Sequence, residues 1–200
     1  MIMITDILLI LMAYLSGSLA SAVIVCKLMG RSDPRLDGSG NPGATNVLRL
    51  HGKKAGIVAL LGDLLKGVIP VLLVKYFGAS DTVIGLTGLA AFIGHLFPVF
   101  FGLKGGKGVA TLFGVVLASS WQVGLLFAIS WVTLATLFRY SSLASIVTAV
   151  LSPFYIYLVL PHIAYTICAA LMSGMLLWRH QSNISKLVAG TESKIGASRL

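Results

Sequence analysis

Val109–Phe138 reads VATLFGVVLASSWQVGLLFAISWVTLATLF, thirty residues without a charged side chain. One helix of that length would measure about 45 Å against a hydrocarbon core of about 30 Å. Divided near Ser119-Ser120-Trp121-Gln122, it becomes two rather short segments. Working outward, further apolar runs cover about Ile4 to Val25, Gly56 to Phe77 (interrupted by Asp63 and Lys66), Thr82 to Phe101, Leu143 to Leu160 and Ile163 to Trp178.

The charges between the runs decide how to divide the long one. The Lys/Arg-rich stretch from Lys27 to Lys54 reads as cytoplasmic by the positive-inside rule, which leaves the near-neutral N-terminus outside. Two spans later Lys104 and Lys107 are inside again. If Val109–Phe138 is two segments, Arg139 and the tail bearing Arg179, Lys186, Lys194 and Arg199 are inside too; if it is one, that tail lies outside against the rule. The expectation is an all-α polytopic membrane protein. It has about seven transmembrane or membrane-embedded helices, the N-terminus outside and the C-terminus cytoplasmic, and residues 1–200 form one domain. Short segments also suit a helix pair that does not fully cross.

Composition agrees. The chain is 57% hydrophobic and 10% charged, where a soluble domain carries about 25% charged residues. Mean hydropathy is +0.95. The net charge of +9 does not point to nucleic acid, because the basic residues fill short gaps between apolar runs. Cys26 and Cys168 sit in apolar stretches without CxxC or ligand spacing, and read as buried thiols. The His, Asp and Glu residues lack tight ligand spacing, so neither a metal nor another cofactor is expected. The N-terminal run has no basic n-region and no clear cleavage site before Lys27, and reads as a retained helix. No internal repeat supports an inverted-repeat transporter.

Three polar clusters share the cytoplasmic side in this topology. They are Asp37-Gly38-Ser39-Gly40-Asn41-Pro42-Gly43-Ala44-Thr45-Asn46 with Arg49; Gly102-Leu103-Lys104-Gly105-Gly106-Lys107-Gly108; and Arg179-His180-Gln181-Ser182-Asn183-Ile184 with Glu192. Glycine-rich turns can aim successive N–H groups at an anion, and Lys or Arg beside them add charge-assisted bonds to phosphate oxygens. A helix starting at Val109 would add its N-terminus. Two basic, glycine-rich loops therefore read as a site for one or two phosphates at the membrane surface. Turn residues and topology signals explain any one cluster, but poorly explain all three on one face.

Two look-alikes fail. Gly38–Gly43 matches GxGxxG, but no strand precedes it and no βαβ unit surrounds it. The second cluster approaches a Walker A loop with the wrong spacing and Gly108 where Ser or Thr belongs. Asn183-Ile184-Ser185 is a glycosylation sequon without meaning on the cytoplasmic side.

The strings GSGNPGATN (Gly38–Asn46) with Arg49, FGLKGGKGVAT (Phe101–Thr111) and RHQSNI (Arg179–Ile184) with Glu192 resemble the three signature motifs of the bacterial acyl-phosphate-dependent glycerol-3-phosphate acyltransferases. GHLFPVF (Gly94–Phe100) also looks familial. The resemblance covers nearly the whole chain, in order. It implies an all-helical enzyme of the cytoplasmic (inner) membrane with its active site on the cytoplasmic side. That enzyme moves a fatty acyl group from acyl phosphate to the 1-hydroxyl of sn-glycerol 3-phosphate, giving lysophosphatidic acid and inorganic phosphate. The HxxxxD pair of other glycerolipid acyltransferases is absent: the residues five beyond His51, His95, His162 and His180 are Gly56, Phe100, Ile167 and Ser185.

Resemblance and chemistry together assign roles. Lys104, Lys107 and the amides of Gly105 and Gly106 would bind one phosphate. Ser39, Asn46 and Arg49, with Gly40, Asn41 and Glu192, would bind or share the other. His180 and Asn183 would orient glycerol phosphate or assist proton transfer, with Ser39, Lys107, His180 and Asn183 the catalytic set. An acyl phosphate is already activated, so its own phosphate could take the hydroxyl proton; His180 is the protein alternative, since an ordinary imidazole titrates near 6.5. Ser39 as a nucleophile lacks a GxSxG elbow. Asp63 and Lys66, three apart, read as an internal ion pair, and His95 as a packing residue. Trp121, Trp131 and Trp178 read as interface anchors. A small transporter of a phosphorylated metabolite is the alternative, with a scaffold subunit third.

Overall fold

The computed structural model describes residues 3–196, so Arg199 of the basic tail lies outside the described residues. All regular structure in it is helical. Helices α1 (Ile4–Gly17) and α2 (Ser21–Leu28) form the first apolar run, bent by 48° at the break between them. Ser18 causes no loss there, because its N–H and Oγ both donate to Tyr14 O at 2.9 Å. Helix α3 (Ala44–Tyr76) is interrupted at Gly52, whose φ of 85° and ψ of 179° only glycine adopts without strain. Helix α4 (Asp81–Leu96) leads through a 3₁₀ turn (Val99–Phe101) into the second polar cluster. Helices α5 (Val109–Ser119), α6 (Trp121–Phe138), α7 (Ser141–Val159), α8 (Ile163–Arg179) and α9 (Gln181–Val188) complete the order.

The long uncharged run does break where its serines stand. Ser120 is extended (φ −152°, ψ 127°), and its Oγ accepts the Val123 N–H at 3.4 Å, capping α6. Lys75, near the end of α3, donates to Ala118 O at 2.9 Å and Ser119 O at 3.0 Å, satisfying carbonyls left free at the end of α5.

The expectation of about seven transmembrane or membrane-embedded helices is met in part. Four stretches are long and apolar enough to cross a bilayer, five if the bent α1–α2 pair is one span. Helices α5 and α8 are apolar but shorter, and the 11 residues of α5 reach only about 16 Å. Even hydropathy hides this difference, because it marks burial in apolar surroundings whether or not a helix crosses them.

Helix α3 packs most extensively on α5, and α1 on α4. Small residues make both contacts close: a Cβ on Gly67 would overlap Thr111 O, and one on Gly94 would overlap Tyr14 O. Phe92, Leu96, Leu112, Val116, Met172 and Leu176 fill the interior. The outside is as apolar as the inside, with Leu61, Ile69, Phe154 and Leu158 exposed, as a lipid-facing surface requires. The two cysteines are buried and free. Asp63 and Lys66 form the expected internal pair, 2.9 Å apart, and His95 is buried beside them. Trp131 departs from the anchor reading, since its indole N–H donates to Ser145 Oγ at 3.0 Å within the protein.

The register of α5 on α3 fixes the depth of the second cluster. Thr111 Oγ1, in the first turn of α5, donates to Asp63 O at 3.0 Å, while the other end of α5 reaches Lys75. The loop before α5 therefore sits level with Asp63, about 15 Å along α3 from Lys53.

Candidate active site

The second and third clusters come together. Lys107 donates from Nζ to Asn183 Oδ1. Asn183 Nδ2 in turn donates to Glu192 Oε1 at 2.8 Å, and Ser142 Oγ donates to the same oxygen at 2.6 Å. The carboxylate thus fixes which way the Asn183 amide faces: its NH₂ toward Glu192 and its oxygen toward Lys107. Glu192 was expected among the phosphate ligands; here it acts on Asn183, and a carboxylate would itself repel a phosphate. An ammonium has three N–H donors, and Asn183 takes one. Burial lowers the Lys107 pKa from the usual ammonium value; nearby Glu192 opposes this, and Arg179 and Lys186 add to it.

Arg179 fastens the same loop, donating from Nη2 to Gly105 O at 2.7 Å and from Nε to Gly106 O at 3.2 Å. This overturns one expectation. The Gly105 and Gly106 N–H groups donate to Leu96 O and His95 O, both at 3.2 Å, so they are not turned toward an anion. The glycines serve close packing instead: a Cβ on Gly105 would overlap His95 O, and one on Gly106 would overlap the His95 ring. The helix start expected at Val109 is present. Lys104 is exposed beside the loop.

His180 caps α8 and is buried. Its Nδ1 lies 2.8 Å from Leu176 O, so Nδ1 carries the proton and Nε2 is the free acceptor. Burial pushes its pKa down to about 4; the Leu176 contact pulls the other way, and Lys107 reinforces the drop. The ordinary imidazole value assumed from sequence does not apply, and His180 is a weak base.

The first cluster is braced largely by its own side chains. Asn46 is buried and fully engaged: Oδ1 accepts the Ser39 N–H at 3.1 Å, and Nδ2 donates to Pro34 O at 2.8 Å and Asp37 O at 3.2 Å. The expectation that Asn46 contacts phosphate is corrected accordingly, because the side chain clamps the loop. Gly40 has φ +67° and donates its N–H to Asp37 O at 3.0 Å, so this amide too belongs to the turn. Asn41 lies against Gly43, half-buried. Ser39 and Arg49 are exposed. Among the described residues no hydrogen bond joins Ser39, Gly40, Asn41 or Arg49 to Lys107, His180 or Asn183.

Sequence reasoning missed Arg35, which connects the first cluster to the second. Its guanidinium grips Asp33 at 2.7–3.1 Å and reaches Phe101 O at 3.4 Å, holding the Asp33 carboxyl below the usual range. The signal was the Asp33-Pro34-Arg35 spacing just before the glycines. Arg179 was visible within the third cluster, but no pattern marks a guanidinium that serves backbone carbonyls. Ser142 had no signal at all.

The chain has known relatives. The glycerol-3-phosphate acyltransferase family model matches residues 7–190. The chain is 51% identical over 193 residues to the glycerol-3-phosphate acyltransferase of Methylococcus capsulatus, covering 96% of this chain and 98% of that one. It is 50% identical over 184 residues to that of Hydrogenovibrio crunogenus, covering 92% and 88%. Among solved structures it is similar to PlsY (YgiH), described as an integral membrane glycerol 3-phosphate acyltransferase. The glycerol 3-phosphate form superposes with a TM-score of 0.91 at 41% identity, covering 96% of both chains, and the lysophosphatidic acid form with 0.89. The matched range takes in α2 to α9, most of α1 and the polar clusters apart from Glu192, and the chain belongs to the glycerol-3-phosphate acyltransferase family.

Proposed function

We propose that the protein transfers a fatty acyl group from acyl phosphate to the 1-hydroxyl of sn-glycerol 3-phosphate, forming lysophosphatidic acid and inorganic phosphate. The observation that carries this reading is the Lys107–Asn183–Glu192 chain beside the loop fastened by Arg179. It keeps a cation oriented next to a helix start, inside a bundle whose outer surface suits acyl chains. The glycerol 3-phosphate and lysophosphatidic acid forms of the similar solved structures support the acceptor and the product.

Lys107, with the first-turn amides of α5, holds the donor phosphate. Lys104 is exposed and draws anions to the loop. Ser39 and Arg49, on the loop clamped by Asn46, take the acceptor phosphate, with Gly40 and Asn41 shaping that loop. Asn183 and the Nε2 of His180 orient the glycerol hydroxyls. The 1-hydroxyl oxygen attacks the acyl carbon, an ester C–O bond forms, and the bond from the acyl carbon to the phosphate oxygen breaks. The hydroxyl proton leaves on the departing phosphate, a route favoured by the low basicity of His180. Positioning of this kind supplies up to about 7–11 kcal/mol of a barrier.

The same reading puts the protein in the bacterial inner membrane, with the N-terminus outside, the C-terminus cytoplasmic and the polar clusters facing the cytoplasm. The test is phosphate release from acyl phosphate by detergent-purified protein, with and without glycerol 3-phosphate. Acceptor-dependent release matched by lysophosphatidic acid is the expected result. Acceptor-independent release, or none from folded protein, overturns the reading.

A further inference from the structure

Beneath the second loop lies a buried polar cluster that the reaction scheme does not use. Asp63 and Lys66 on α3 and His95 on α4 are 3%, 6% and 5% exposed. Lys66 Nζ stands 2.9 Å from Asp63 Oδ1 and donates to Leu19 O at 3.0 Å, a carbonyl freed by the break between α1 and α2. His95 Nδ1 lies 3.6 Å from the same carboxylate oxygen. The opposite edge of the ring, at Nε2, abuts Gly106, leaving no space for a Cβ there. His95 O accepts the Gly106 N–H at 3.2 Å, and Asp63 O accepts Thr111 Oγ1 just beyond the loop at 3.0 Å. The segment carrying Lys107 is thus held from the core by His95 and Asp63, and from the other side by Arg179.

Charges this deep are seldom retained for stability alone, since apolar replacement of a whole buried pair is often neutral or better, and ionisable groups within a membrane bundle usually serve function. We propose that His95, packed between the Asp63 carboxylate and Gly106, is a positioning residue that sets the level of Gly105–Lys107 and so aims the Lys107 ammonium at the substrate phosphate. The inference rests on the acyl-transfer reading for the role of Lys107. The mechanism is steric: the ring is the floor on which Gly106 rests, and the Asp63 carboxylate lies behind the ring at 3.6 Å. A misplacement near 1 Å at such a site costs roughly 100-fold in rate.

The geometry gives a specific double-variant test. His95→Ala removes the floor, and Gly106→Ala drives a methyl into it; each is expected to lower kcat/KM roughly 10- to 100-fold. In His95→Ala/Gly106→Ala the added methyl enters the space left by the imidazole. The double variant should therefore recover well above the product of the single losses. Multiplicative losses overturn the proposal, as does a His95→Ala protein with unchanged kcat and KM. His95→Gln keeps a polar side chain beside Asp63 but not the flat ring under Gly106, and serves if His95→Ala does not fold. It should raise the KM for acyl phosphate while its thermal midpoint in detergent stays near that of the unaltered protein, and an unchanged KM overturns the proposal. Failure of the unaltered enzyme to release phosphate in an acceptor-dependent way would remove the acyl-transfer reading itself; multiplicative losses in an active enzyme would remove only the positioning role.

Discussion

Lys107 and Asn183 are 76 residues apart in the chain, yet the ammonium of one donates to the amide oxygen of the other. Glu192 keeps that oxygen facing Lys107 by accepting the other end of the amide. Asn183→Ala should free the Lys107 side chain and leave Glu192 with Ser142 in place of two donors. A hydrogen bond to a charged group contributes about 1.5–3 kcal/mol, so kcat/KM should fall roughly 10- to 100-fold. Asn183→Asp should restore little, because an anion then faces Glu192. Steady-state kinetics on both variants checks this; full activity in Asn183→Ala would remove the chain from the mechanism.

The pKa of about 4 at His180 predicts how activity and stability depend on pH. The imidazole stays neutral from alkaline pH down to about 5, so kcat/KM should have no His180 limb near 6.5. For stability, the unfolded chain binds this proton below about 6.5 and the folded one only near 4. The stabilising preference for the neutral form is therefore present above about 6.5 and is lost progressively as pH falls toward 4. Thermal midpoints across this window should decline less steeply for His180→Gln than for the unaltered protein.

Asn46 offers a test of a residue that sequence placed among the ligands. Its amide accepts one backbone N–H and donates to two carbonyls. Asn46→Asp reproduces only the accepting half and opposes Pro34 O and Asp37 O with oxygen. It should be as inactive as Asn46→Ala, with KM for glycerol 3-phosphate raised in both. A normal KM in Asn46→Asp would mean that the clamp is dispensable.

Lys66→Met leaves the Asp63 carboxylate buried without its cation, a change that costs about 3–5 kcal/mol. Asp63→Asn/Lys66→Met, which removes both charges, should regain most of that loss. Denaturation in detergent for the three proteins measures the difference.

Lys75→Met should loosen the end of α5 by depriving Ala118 O and Ser119 O of their donor. Each unsatisfied carbonyl costs about 1–3 kcal/mol. Faster amide exchange confined to the end of α5 and the start of α6 is the expected signature; uniform protection would contradict the capping role.

The helical frame was legible because long apolar runs have few physical solutions in lipid. That Val109–Phe138 is broken was legible from the basic residues on either side of it, with Ser119-Ser120-Trp121-Gln122 near its middle as the place for the turn. Crossing length was not legible, since hydropathy cannot separate the short α5 from a full span. At the site, residue types located the clusters, but not which atoms remain free. Gly105, Gly106 and Asn46 looked like anion ligands, and the structure engages their polar atoms within the protein. Arg35 escaped notice and the role of Arg179 was not legible, because the link of Arg35 to Phe101 and both bonds of Arg179 end on carbonyls, which every residue has.

The short α5, level at its start with Asp63, also bears on where the two substrates meet. An acyl donor anchored by its tail keeps its reactive carbonyl near the boundary between headgroups and hydrocarbon, and lifting it into water would expose methylenes at about 0.8 kcal/mol each. On the proposed acyl-transfer reading, a loop about 15 Å along α3 from Lys53 removes that need. The small, water-soluble acceptor would then make the journey instead, sinking past the headgroup layer to a fatty chain that never leaves its solvent.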